Sequence, residues 1–110
     1  MPKTPERSAI VGWGSVTPIG SNPCSTWEAA LKGHSGIQAL HDPWCSDLAT
    51  RIAGRVDESA FASLEPILRR RADRCAQLAL LAARQAWGMA LERVQGVDPD
   101  RVAVVIGTGI

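Results

Sequence analysis

The stretch from about Arg71 to Val94 constrains this chain more than any other. Its apolar residues recur with helical period in two stripes. Cys75, Leu78, Ala79, Ala82, Ala86 and Met89 form one; Leu80, Ala83, Trp87 and Leu91 form the other. Between Cys75 and Leu91 the only charge is Arg84. A helix that is apolar on most of its circumference must be buried on most sides, packed between layers. Its many alanines allow neighbouring backbones to come close. Gly96 ends the pattern, and Val97-Asp98-Pro99-Asp100 reads as a turn.

Other segments supply part of the cover. Ala9-Ile10-Val11-Gly12-Trp13-Gly14 is a continuous apolar run bounded by turn residues, which predicts a strand buried on both faces. Val102-Ala103-Val104-Val105-Ile106 predicts another, ending in Gly107-Thr108-Gly109-Ile110. Ser21 or Asn22 can cap a helix with Pro23 near its first position, and Gly33 stands where a left-handed cap belongs. Trp27, Ala30 and Leu31 share one face of that helix. From His34 to Trp44 the composition reads as loop. A half-exposed strand is expected near Thr50 to Val56, a short irregular helix near Ser59 to Leu64, and a restart at Pro66. The alternation argues an α/β layer fold. Two apolar strands and one short surface helix cannot cover the long helix, so the chain is expected to be the first part of something larger. Alone, it is expected to expose more apolar surface than a soluble monomer tolerates.

With 110 residues, 45% hydrophobic and 21% charged, the chain has room for one packed domain at most. That profile excludes a disordered tail or a fibre. Twelve basic against 11 acidic residues leave a net charge of +1, so no global field exists to hold nucleic acid or an acidic membrane surface. No run approaches the roughly 20 apolar residues of a membrane span. Cys24, Cys45 and Cys75 match neither a zinc set nor a Cys-x-x-Cys pair, and no metal or other cofactor is expected. A cytoplasmic, reduced protein is the expectation.

Few motifs point to chemistry. Gly12-Trp13-Gly14 lacks the third glycine and the immediate helix of a phosphate-binding loop, so close backbone packing explains it better; Gly107-Thr108-Gly109 cannot be tested the same way. Cys75 falls on the apolar stripe and reads as a small core residue. His34 and His41 sit in the loop without a partnered carboxylate or thiol. No catalytic constellation can be assembled. Arg69-Arg70-Arg71 with Arg74 puts four guanidinium groups within six positions. A solvated helix start is one reading. At a helix N-terminus, however, such charge opposes the macrodipole, which favours an external anionic partner.

Taken together, the segments resemble the N-terminal part of the β-ketoacyl-acyl-carrier-protein synthases, the condensing enzymes of fatty-acid synthesis. The resemblance is carried by residues 9–20, from Ala9 to Gly20, and by residues 25–37, from Ser25 to Ile37. It continues through Arg51-Ile-Ala-Gly54, Arg70-Arg-Ala-Asp73 and Val102 to Ile110, in the family's order. Asp98-Pro-Asp-Arg101 and Ile37-Gln-Ala-Leu40 look most like its mycobacterial mycolate-elongating branch. Trp13 departs from the pattern, being bulky where the family has a small or aliphatic residue.

This resemblance implies a thiolase-like fold, a pseudo-duplicated α-β-α-β-α sandwich, of which residues 1–110 would be a partial N-terminal domain. It implies a homodimer, with acyl carrier protein as partner. In that family a cysteine thiolate takes the acyl chain, two histidines serve decarboxylation of malonyl-carrier protein and the oxyanion, and a lysine supports the site. None of these roles falls on a residue of this chain, so the 110 residues alone are expected to be inactive. Two features do fall here: Arg70 and Arg71 match basic positions that dock the carrier protein, and Ile110 matches an aliphatic residue bordering the acyl pocket. The alternative is a non-catalytic partner resembling the chain-length factors of polyketide systems.

Overall fold

The structure, a computed structural model, describes residues 7–109. Its longest element is α3, Arg74–Arg93. The sequence pattern starts this helix at Arg71, but the chain breaks first. Ala72 is extended at φ −85° and ψ 141°. Asp73 then caps α3, its carboxylate accepting the Ala76 amide at 2.7 Å. The preceding turns form a separate short helix, α2, Pro66–Arg71.

Earlier in the chain α1 spans Pro23–Leu31. Asn22 and Ser25 make a reciprocal capping box, and Gly33 closes the helix at φ +71°, as its sequence signals predict. Only Ala29 of this helix is buried. Its Trp27–Ala30–Leu31 face is exposed, with no layer over it among the described residues. The segment read as loop holds a strand, β1, Ile37–Ala39, and a 3-10 turn, Pro43–Cys45. Strand β1 pairs antiparallel with β2, Ile52–Gly54, in the register Ile37↔Gly54 and Ala39↔Ile52. A 3-10 turn at Glu58–Phe61 leads to α2, and another at Pro99–Arg101 follows α3.

The core is small. Phe61, Leu64 and Leu81 are buried together, with Val16, Val56, Ala60, Leu78 and Leu80 packed around them. The N-terminal segment lies across α3 on its alanines. A Cβ added at Gly12 would meet the Ala86 carbonyl oxygen at 2.1 Å, and one at Gly14 would meet that of Ala82 at 2.0 Å. Only glycine permits this approach. Gln85 clips the segment down, accepting the Ser15 amide at 3.1 Å and donating to the Ser21 carbonyl at 2.7 Å. The guanidinium of Arg93 lies over the Trp13 ring, 5.4 Å from its centroid.

Neither Ala9–Gly14 nor Val102–Ile106 is a strand among the described residues. Both have strand composition, but a strand is a property of a pair, and neither finds a ladder partner here. Ile10 is 83% exposed and Val105 92%. Within α3 only Gln77 and Leu81 are buried, and Cys75, expected in the core, is exposed. The accessible surface is 9255 Å², against about 5,900 Å² for a compact monomer of this mass. The radius of gyration is 18.2 Å, where about 13 Å is usual for this length.

Candidate functional site

Proline at its first position starts α2 without losing a needed hydrogen bond. At its other end, Arg69, Arg70 and Arg71 occupy the last turn. This reverses the electrostatic argument made from sequence. Cations at a helix C-terminus are favoured by the macrodipole, so three of the four arginines are locally stable where they stand. Only Arg74 begins a helix, and it is already engaged. Its guanidinium pairs with Glu58 and lies over the Phe61 ring, 4.0 Å from the centroid.

Arg69, Arg70 and Arg71 make no ion pair among the described residues. Arg69 and Arg70 line an open concavity of about 510 Å³ with Glu58, Pro66, Arg74 and Gln77. Arg71 is exposed beside it and does not line it. The structure therefore brings Arg69 and Arg70 together over one hollow with Arg71 exposed beside it, and none of the three is ion-paired among the described residues. Such a surface attracts carboxylates or phosphates and offers charge-assisted hydrogen bonds to them.

Both ends of α2 are tied to α3. At the start, Arg84 donates to the two carboxylate oxygens of Glu65 at 2.8 and 2.9 Å. The Glu65 carboxyl is held below the usual carboxylate range, first by a backbone amide and then by Arg84. At the end, the Gln77 side chain donates to the carbonyls of Arg69 and Ala72 at 3.2 and 2.8 Å. Sequence reasoning missed Gln77. Gln77 belongs to neither apolar stripe of α3 and shares its face with Asp73, Arg74 and Arg84, so its burial follows only from α2 ending beside it.

The remaining candidates do not converge on a site. His34 and His41 are exposed, as are Cys24 and Cys75. Cys45 is 1% exposed. Burial, then the Asp42 charge, pushes its thiol up, which keeps it in the weakly nucleophilic protonated form. The first glycine pair is filled by the backbone of α3 and has no room for a phosphate. Ile110 lies outside the described residues. An apolar groove of about 720 Å³ is lined by Ala83 and Trp87 of α3 together with Ile10, Val11, Val102 and Val104.

Comparison with known proteins identifies the class. Residues 6–110 match the family model described as the N-terminal domain of β-ketoacyl synthases, and the chain belongs to that family. Membership implies the thiolase-like α/β fold; among the described residues the structure shows helices with a two-stranded sheet. The relatives are more particular. A protein of Staphylococcus aureus named 3-oxoacyl-[acyl-carrier-protein] synthase 2 is 36% identical over 109 residues, covering 96% of this chain and 26% of the relative. Proteins of the same name from Coxiella burnetii and Synechocystis are 35% and 33% identical, covering 94% and 96% of this chain. The chain spans about a quarter of the length of the curated relatives it matches. No helix among the described residues is long and apolar enough to cross a membrane.

Proposed function

We propose that this chain is the first part of an N-terminal β-ketoacyl synthase domain, in a cytoplasmic, homodimeric 3-oxoacyl-acyl-carrier-protein synthase of fatty-acid synthesis. The whole protein elongates an acyl thioester by decarboxylating Claisen condensation with malonyl-carrier protein. The working cysteine, histidines and lysine come from outside these 110 residues, which are silent alone. The observation that carries this reading is the family match over residues 6–110, reinforced by three relatives of one stated activity. The apolar groove along α3 fits the same reading: in an α-β-α-β-α sandwich it is the place for a sheet layer. Asp98–Arg101 and Ile37–Leu40 favour the mycolate-elongating branch within the family.

Within that protein, Arg70 and Arg71 dock the acidic surface of acyl carrier protein. Support comes from three guanidinium groups on the last turn of α2 that make no ion pair among the described residues. The interface is small and transient, driven by steering and a few charge-assisted contacts. Ile110 borders the acyl pocket.

The test is a condensation assay with malonyl- and acyl-carrier protein on the natural full-length protein. Formation of 3-oxoacyl-carrier protein is expected. Full-length protein that binds carrier protein without turnover would instead match the chain-length-factor alternative. Charge reversal at Arg70 and Arg71 is expected to weaken carrier-protein binding, most at low salt. Unchanged affinity would remove the docking assignment.

A further inference from the structure

We infer that Gln77 is a positioning residue of the arginine surface, fixing the last turn of α2 so that Arg69, Arg70 and Arg71 meet a partner already oriented. This rests on the docking reading and adds to it the residue that organises the surface. Gln77 is the buried polar side chain of the described residues, 7% exposed, on the second turn of α3. Its amide group donates to the carbonyls of Arg69 and Ala72, which bracket Arg70 and Arg71.

Two physical facts give that placement its consequence. Carbonyls at a helix C-terminus have no partner within the helix and need one from elsewhere. A helix of six residues is also too short to hold its own shape in water. The Arg84–Glu65 pair fixes the start of α2 and leaves the end free to fray. Gln77 closes that end against a second helix whose own start is capped by Asp73. A buried amide left without acceptors would be unfavourable, so the Gln77 bonds and the shape of the turn are interdependent. Arg74 adds nothing to the orientation of this turn, being held by Glu58 and Phe61.

The expected signature separates orientation from charge. Gln77→Leu keeps an uncharged side chain of comparable bulk and the net charge but removes both donors. Gln77→Asn is one methylene shorter and serves if the leucine variant does not fold. The measurement is rapid-mixing kinetics of acyl-carrier-protein binding to the natural full-length protein, across a salt series. With Gln77 replaced, the association rate and its salt slope should stay at wild-type values, because steering depends on charge. The dissociation rate should rise about three- to tenfold, because the contacts form on a loosened turn. Hydrogen exchange across residues 66–72 should quicken in parallel. Arg70→Glu should instead slow association and flatten the salt dependence. A folded Gln77 variant with wild-type dissociation would overturn this inference. Wild-type kinetics for Arg70→Glu together with Arg71→Glu would overturn the docking reading itself.

Discussion

Replacing Gly14 by alanine probes the closest approach in the molecule. The added Cβ would sit 2.0 Å from the Ala82 carbonyl oxygen and 2.8 Å from Gln85 Cβ. Restoring the first contact to about 3.3 Å, near the lower bound for a carbon against a carbonyl oxygen, requires a retreat of about 1.3 Å. The Ser15–Gln85 hydrogen bond, at 3.1 Å, is one residue away and cannot survive that shift. Overpacking of this kind costs about 1–3 kcal/mol, and the lost bond about 1 kcal/mol. We expect a total of about 2–4 kcal/mol in denaturant unfolding of the natural full-length protein. Trp13, adjacent in the chain and stacked beneath Arg93, moves with Gly14. Gly88→Ala is the control. It lies in α3 with nothing among the described residues within 4 Å of the new Cβ, so the same change should escape the overpacking cost and, where no further layer covers it, stabilise by about 0.5–1 kcal/mol. Equal effects of the two substitutions would show that the close approach at Gly14 carries no special cost.

Acid sensitivity follows from Glu65 and Asp57, whose carboxyls are both held low: Glu65 by a backbone amide and Arg84, Asp57 by the Ser59 side chain and amide. A lowered folded value means that the stabilisation is present above the unfolded value, near about pH 4, and is lost as pH falls through the folded one. Glu65→Gln should therefore flatten stability against pH on the acid side and leave its slope at neutral pH unchanged, as read from unfolding midpoints across a pH series. For the acyl pocket, Ile110→Phe in the full-length protein should shorten the longest acyl chain elongated, as read from product distribution; an unchanged distribution would remove Ile110 from the pocket.

What the sequence made legible was local chemistry. Asn22, Pro23 and Gly33 delimit α1 through capping geometry that involves a few neighbouring residues. The body of α3 follows from its period, and its alanines meet Gly12 and Gly14 as their size suggests. What stayed hidden depends on distant partners. Strand β1 is three residues long and exists through pairing with β2. Ala9–Gly14 and Val102–Ile106 have strand composition without a ladder, for the same reason in reverse. At the candidate site, the arginine run was visible but its helix end was not. Asp73 divides the run from α3, which turns an unfavourable N-terminal cluster into a favourable C-terminal one. Gln77 could be recognised only once α2 was known to end beside it.

On the proposed reading, these residues are one portion of a layered condensing-enzyme fold, with faces covered by further layers. With a surface of 9255 Å², the excess over a compact monomer is about 3,400 Å². The most direct measurement is a thermal melt of the 110 residues alone, followed by near-ultraviolet circular dichroism with a hydrophobic dye and size-exclusion chromatography. Dye binding, self-association and no cooperative transition are expected. A monomer that binds no dye and melts in one sharp two-state step would contradict it.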